Sequence, residues 1–94
     1  MSEREIEMRL GLHGPLDADA LATRAEAVLE AVETYAKSCV DGPAVGYTLE
    51  PLEIHLLFTT EADDEQELES TLARVQEIIE GETPLRFAKS SVIA

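Results

Sequence analysis

The sequence predicts an α+β fold, a ferredoxin-like βαββαβ sandwich in which an antiparallel sheet of order 4-1-3-2 carries two helices on one face. Three observations lead to this prediction. Several segments alternate apolar and polar residues, which is typical of strands with one wet face. Two longer segments repeat apolar residues every three or four positions, as helices with one buried stripe do. Right-handed crossovers applied to the order strand, helix, strand, strand, helix, strand give the sandwich.

The first strand is predicted over residues 5–13, and Gly14-Pro15 then breaks the alternation. Asp17 is a candidate helix cap, and the helical stripe that follows runs as far as Cys39. Asp41-Gly42-Pro43 supplies the glycine and proline that commonly end a helix. The positions predicted to be buried are Ile6, Met8, Leu10 and Leu12 in the strand, and Leu21, Ala25, Val28, Leu29, Val32, Ala36 and Cys39 in the helix.

Two strands joined by a short turn are predicted next, over residues 45–49 and 52–59, with Tyr47 facing the core. Pro51 belongs to the turn, because proline cannot donate a hydrogen bond within a sheet. A second helix is predicted from a cap at Asp64 to Gly81. The closing strand begins at Pro84, with Leu85 and Phe87 facing the core.

Composition predicts one soluble domain over residues 1–94. The chain is 45% hydrophobic, which is enough for a core, and its net charge is −13, which opposes binding to nucleic acid or to anionic lipid. No apolar run reaches the length of a membrane helix, and the amino terminus does not resemble a signal peptide. A single cysteine cannot close an internal disulfide. We therefore expect a cytoplasmic protein.

The sequence contains no phosphate-binding glycine loop, no dinucleotide fingerprint and no metalloprotease, serine hydrolase or calcium-binding motif. We accordingly assign no catalytic residue, no metal ligand and no cofactor. The sequence leaves open whether the protein is an enzyme and favours a non-catalytic role.

One end of the predicted sheet gathers polar side chains on the face away from the helices. In the predicted topology the end of strand one lies beside the starts of strands three and four. Two imidazoles, a carboxylate and a guanidinium there are suited to binding a small anion or a divalent metal, or to proton transfer. The simpler interpretation is the ordinary wet face of an antiparallel sheet. The candidate ligand-binding residues are His13, Glu53, His55 and Arg86.

Acidic residues dominate both predicted helix surfaces. Some pairs, such as Glu26/Glu30 and Glu65/Glu69, lie one helical turn apart and repel each other. Three explanations compete: adaptation to a high-salt cytoplasm, docking onto a basic protein, and imitation of a nucleic-acid backbone. The first is favoured because the bias extends over the whole chain and lysine is scarce, with two Lys against five Arg.

The apolar ending Val92-Ile93-Ala94 is unusual in so charged a chain, and an uncovered edge strand invites pairing. With Leu85 and Phe87 facing the core, the same register puts Val92 on the outer face with the polar residues, unless a bulge at Ser90-Ser91 shifts the pattern. We predict a symmetric homodimer formed by edge pairing or by packing the chain end on the partner's sheet; a frayed terminus is the alternative. The predicted interface residues are Leu57, Leu85, Phe87, Val92 and Ile93.

Together these features predict a small, acidic, non-catalytic regulatory or assembly module that acts through protein contacts. The alternative is a small dimeric α+β enzyme, or a ligand- or metal-binding protein, that uses the open sheet face.

Overall fold

The protein, studied as a computed structural model, is described over residues 3–83 and, for the backbone, residues 87–93. The α+β class, with two helices and an antiparallel sheet, is confirmed. The bounds are β1 Glu3–Leu12, α1 Ala18–Tyr35, β2 Asp41–Leu49, β3 Leu52–Glu61, α2 Glu65–Glu82 and β4 Phe87–Ile93.

Strand β3 lies between β1 and β2 and is antiparallel to both. In the register with β1, Leu10 is the partner of Ile54 and Gly11 the partner of Glu53. In the register with β2, Gly46 is the partner of His55. These registers fix which side chains share a face, since successive residues of a strand point to opposite sides.

The core lies between one face of this sheet and the two helices. Alternate residues of β1 and β3 are buried, among them Leu10 and Ile54, each 0% exposed. The helices contribute their apolar stripes, so that sheet and helix residues form a single cluster. The buried residues of the helices are Leu21, Ala25, Val28, Ala31 and Val32 in α1 and Leu68, Val75 and Ile79 in α2.

Helix α1 ends at Tyr35, so the prediction that Cys39 lies on its stripe is wrong. The carbonyl of Ala36 accepts hydrogen bonds from the amides of both Cys39 and Val40, and this turn takes the chain out of the helix. The turn still returns Cys39 to the edge of the core, where it is partly buried. Its carbonyl accepts a bond of 2.7 Å from the buried hydroxyl of Thr60. A helical period therefore continued in the sequence after the helix had ended.

Strand β2 begins at Asp41, earlier than predicted, and includes Gly42 and Pro43. Gly42 has a φ of 56°, and the register with β3 shifts between Asp41 and Ala44. Such irregularities accommodate glycine and proline at a strand that is paired on one side. Tyr47, predicted to face the core, is 45% exposed. It shares the helix side with the core residues, but its position in the outer strand leaves it half in water.

The backbone of β4 is antiparallel to β1. Val92 is the partner of Met8, and Phe87 is the partner of Leu12. In a regular strand, an even-numbered and an odd-numbered residue such as Val92 and Phe87 would point to opposite faces, whereas Met8 and Leu12 share one face. A register shift between Gly11 and Leu12 accounts for this. By register Val92 is therefore on the side of the core residue Met8 and not on the outer face, and the irregularity lies nearer the start of β4 than Ser90-Ser91. Residues 84–86, which include Leu85 and Arg86, lie outside the described residues.

Candidate binding face of the sheet

The face of the sheet opposite the helices, called the open face below, is built from the residues that alternate with the core positions. Across β2, β3 and β1 these residues form four rows, one of which, Asp41–Thr59–Glu5, lies beyond the register shift in β2. The other three are Ala44–Leu57–Glu7, Gly46–His55–Arg9 and Thr48–Glu53–Gly11. Within the described residues both helices pack on the other face, so no helix covers these rows.

Glu53 and His55 form the polar centre of the open face. The Oε1 atom of Glu53 lies 3.2 Å from Nε2 of His55. Both side chains are well shielded, with exposures of 13% and 21%. Two residues apart on one strand, they point to the same side, which is why the alternation predicted their proximity. A carboxylate held against an imidazole nitrogen fixes the orientation of the ring.

The other two predicted site residues do not extend this pair. His13 follows the last residue of β1 and is exposed. No group of three His, Cys, Asp or Glu side chains in residues 3–83 is arranged to hold a metal ion. Arg86 falls outside the part of the chain that the structure describes. The geometry therefore groups Glu53 and His55 and leaves His13 apart.

Arg9 is a residue of this face that sequence reasoning did not place in the site. It is the cross-strand partner of His55, and its Nε donates to Oε2 of Glu7 at 2.8 Å. The alternation of apolar and polar residues in β1 already places Arg9 on the polar side of that strand. Counting the antiparallel register back from Gly11 and Glu53 would have paired it with His55.

Leu57 is the apolar feature of the open face, with 42% of its surface exposed. Its neighbours across the sheet are Ala44 on β2 and Glu7 on β1. Ile93 is the β4 partner of Glu7 and so lies at the end of the same row, whereas Val92 lies opposite the core residue Met8. Of the predicted interface positions, Leu57 and Ile93 share one row by register.

A separate cleft of about 510 Å³ lies at the other end of the sheet, between the end of α1 and the first residues of β1. Its lining includes Cys39, Lys37 and the carboxylates Glu3, Asp41 and Glu61. None of the predicted site residues contributes to it.

Neither helix in the described part of the chain combines the length and apolar content needed to cross a membrane.

Comparison with known proteins identifies the fold. No protein-family model matches the chain, and no curated protein matches it in sequence. The structure is similar to that of a dimeric protein of unknown function and ferredoxin-like fold from Bacteroides fragilis, with a TM-score of 0.59 and 12% identity over 97% of this chain and 92% of that one. It is also similar to a structural-genomics protein, YJCS, with a TM-score of 0.55 and 11% identity over 99% and 98% of the two chains. These likenesses confirm the ferredoxin-like fold.

Proposed function

We propose that the protein is a small, non-catalytic regulatory or assembly module that acts through protein contacts, and that the first of these contacts is with a second copy of itself across the open face. The observation that carries this proposal is Leu57, 42% exposed near the middle of the sheet face that neither helix covers. The proposal places the module in the cytoplasm, where a lone thiol such as Cys39 stays reduced.

A homodimer suits the distribution of groups on this face. A two-fold axis brings the same patch together from both protomers, so an apolar side chain near the axis meets its own copy or that copy's neighbours. Arg9 and Glu7 are already paired with each other, and Glu53 already lies within hydrogen-bond distance of His55, so each of these four side chains enters the contact with a partner. The dimeric state of the Bacteroides fragilis protein is consistent with this arrangement.

The chain end completes the proposed interface. In this proposal the sheet has the full order 4-1-3-2, with β4 as an edge strand, and residues 85 to 93 contribute to the contact. The antiparallel pairing of β4 with β1 supports this order. Ile93, at the end of the Leu57 row, packs across the dimer, while Leu85, Phe87 and Val92 extend the contact at the edge.

Replacing Leu57 with glutamate tests the dimer. Two carboxylates are then forced toward one another in a desolvated contact, so we expect sedimentation equilibrium to show at least a hundredfold weaker association. The fold should persist, because the side chain is substantially exposed in the single chain. Tyr35→Glu is the matched control, since Tyr35 is 54% exposed at the end of α1, and it should leave the mass unchanged. A monomeric unmodified protein contradicts the proposal.

A chain ending at Lys89 tests the part played by the last residues. Removing Ser90–Ala94 takes Ile93 out of the Leu57 row, so light scattering should show a weaker dimer. If the mass is unaffected, the contact lies elsewhere on the molecule.

The shielded Glu53–His55 pair supports a second candidate function, the binding of a small ligand on the open face. Arg9 lies opposite His55 and adds a guanidinium to the group, and Arg86 is the further cation proposed from the sequence. Calorimetric titration with inorganic phosphate and with Zn²⁺ tests this candidate. Heat that disappears in His55→Ala, with the melting temperature kept, supports it. No heat with the unmodified protein rejects it.

A further inference from the structure

We propose that the outer edge of β2 accepts an extended segment of a basic protein as an added strand. Lysine or arginine side chains of that segment then lie against the acidic flank of α1, which consists of Glu26 and Glu33. The inference rests on the proposed role in protein contacts, and it uses a surface separate from the open face.

The β2 edge, defined here as residues Ala44–Leu49, is free for pairing. Within the described residues β2 is paired with β3 alone. Every second backbone amide and carbonyl of an outer strand faces away from the sheet, which is the template that strand addition uses. Proteins usually protect such edges with charges, proline or bulges. Here Pro43 and the register shift protect only the beginning of the strand.

The composition of this edge differs from that of the rest of the chain. Charged residues make up 29% of the protein, yet the stretch from Gly42 to Leu49 contains none. On the helix side of the edge, Tyr47 is 45% and Leu49 47% exposed. Val45, on the same side, packs partly against the core. Two apolar residues on the helix side of an added strand would cover Tyr47 and Leu49.

The acidic flank lies directly beside this edge. Helix α1 packs on β2 more than on any other strand. Glu26 and Glu33 are exposed on α1 and line a shallow groove of about 220 Å³ around the partly buried Leu29. Glu33 also lines a second depression with Gly42 and Pro43, which places it next to the beginning of β2.

The spacing of these carboxylates suits a strand. Glu26 and Glu33 are seven residues apart on a helix, or about 10 Å along its axis. Residues two and four positions apart on a strand lie about 7 and 13 Å apart and point to the same side. Lysine and arginine side chains are long enough to bridge the remaining difference. Two basic residues on the helix side of the added strand, beside the beginning of β2 and beyond the apolar pair, can therefore each reach one glutamate.

The same carboxylates disfavour a second copy of this chain at the edge. Antiparallel pairing of two β2 strands would bring Glu26 and Glu33 of both protomers close together, and like charges across an interface weaken it. Lys37 is the cation at this side, but it lines the depression beside Asp41, at the far end from Tyr47 and Leu49. The occupant favoured by charge is a basic segment.

The test uses a capped heptapeptide with valine at positions 1 and 3, arginine at positions 5 and 7 and threonine between them, so that the two valines and two arginines share one face of the strand. It is titrated into the full chain and followed by NMR. We expect shifts of the backbone amides of Ala44–Leu49. The same peptide with N-methylated amides should not bind, because it keeps its charge but cannot pair as a strand. Binding of the methylated peptide with equal affinity would overturn strand addition.

Protein variants locate the charge contact. Glu26→Gln/Glu33→Gln should weaken binding about fivefold, as expected for two exposed ion pairs. The matched control, Glu69→Gln/Glu77→Gln, removes two exposed carboxylates from α2 and should change affinity far less. Equal losses in the two variants would show general attraction to a polyanion and would overturn the proposal.

Two variants distinguish a failure of peptide binding at the β2 edge from a failure of the proposed dimer. Leu57→Glu should lose association and keep peptide binding, because Leu57 lies on the open face. Tyr47→Ser should weaken peptide binding and keep the dimer. If β2 amides are protected without peptide and the protection is lost on dilution, a second copy occupies the edge and the proposal is wrong.

Discussion

The backbone conformation of Gly42 favours glycine over any residue that carries a Cβ. Its φ of 56° lies in the left-handed region, where a Cβ clashes with the backbone at a cost of about 1–2 kcal/mol. A Cβ built at Gly42 or at Gly46 meets nothing within 4 Å, so space is not the constraint at either position. The conformation alone explains glycine at 42.

Gly42→Ala should lower the free energy of unfolding by about 1 kcal/mol, measured by urea denaturation. Gly46→Ala is the control, because Gly46 lies in the same strand with an ordinary φ and open space. It should be neutral or stabilising, by up to about 1 kcal/mol. Equal destabilisation by both changes would contradict the assignment of strain to Gly42.

At the residue scale, alternation was sufficient to predict Glu53 beside His55, since residues two apart on a strand point to one side. Alternation alone did not place Arg9 beside His55, because that pairing depends on the exact β1–β3 register. It also did not place His13, which lies past the last residue of β1 that pairs with β3. Tyr47 was misplaced because alternation gives the side of a sheet but not the distance from its edge.

The two helices begin with well-formed caps. Asp17 accepts from the amide of Ala20 at 2.7 Å, and Asp64 accepts from the amide of Glu67 at 2.8 Å. Neither helix has a basic residue in its last turn, and α2 ends at Glu82. An acidic residue at a helix carboxyl terminus opposes the helix dipole. The carboxyl ends are therefore the less stable ends of both helices.

Glu82→Lys should stabilise the protein by about 0.3–1 kcal/mol at low salt, because a cation there interacts favourably with the dipole. Glu77→Lys makes the same change of charge within α2 and before its last turn, and it separates the dipole effect from the general gain of reducing a net charge of −13. Thermal denaturation of both variants is the measurement. An equal gain from Glu77→Lys would exclude the dipole as the cause.

Element order and helix starts follow from local signals, namely periodicity and caps, so the sequence was sufficient for them. The end of α1 depends on the turn in which Ala36 accepts two amides, which periodicity does not reveal. The register shift opposite Leu12 depends on pairing between distant strands, so its position in β4 could not be read locally.

For the whole molecule, the excess of acidic side chains destabilises the folded state through mutual repulsion. Exposed acids on α1 and α2, including the pairs Glu26/Glu30 and Glu65/Glu69, repel one another by about 0.2–0.5 kcal/mol each. Among the described cations, Arg4 pairs with Glu65 at 3.1 Å and Arg9 with Glu7, which offsets little of the excess.

The melting temperature should therefore rise with KCl, because the screening length falls from about 8 Å at physiological ionic strength to about 3 Å at 1 M. Each kcal/mol of repulsion removed corresponds to about 4–8 °C for a domain of this size. Glu26→Gln/Glu30→Gln should show a smaller rise. A flat response would remove the high-salt explanation and leave a basic partner as the stronger reason for the acidic surface.

Self-association through the open face is the central claim, and contacts between protomers test it most directly. The measurement is an isotope-filtered NOE experiment on a dimer mixed from ¹³C-labelled and unlabelled chains. We predict intermolecular NOEs from the methyl groups of Leu57 to the partner. A dimer whose intermolecular NOEs arise only from Tyr47 and Leu49, or a sample with none, would contradict it.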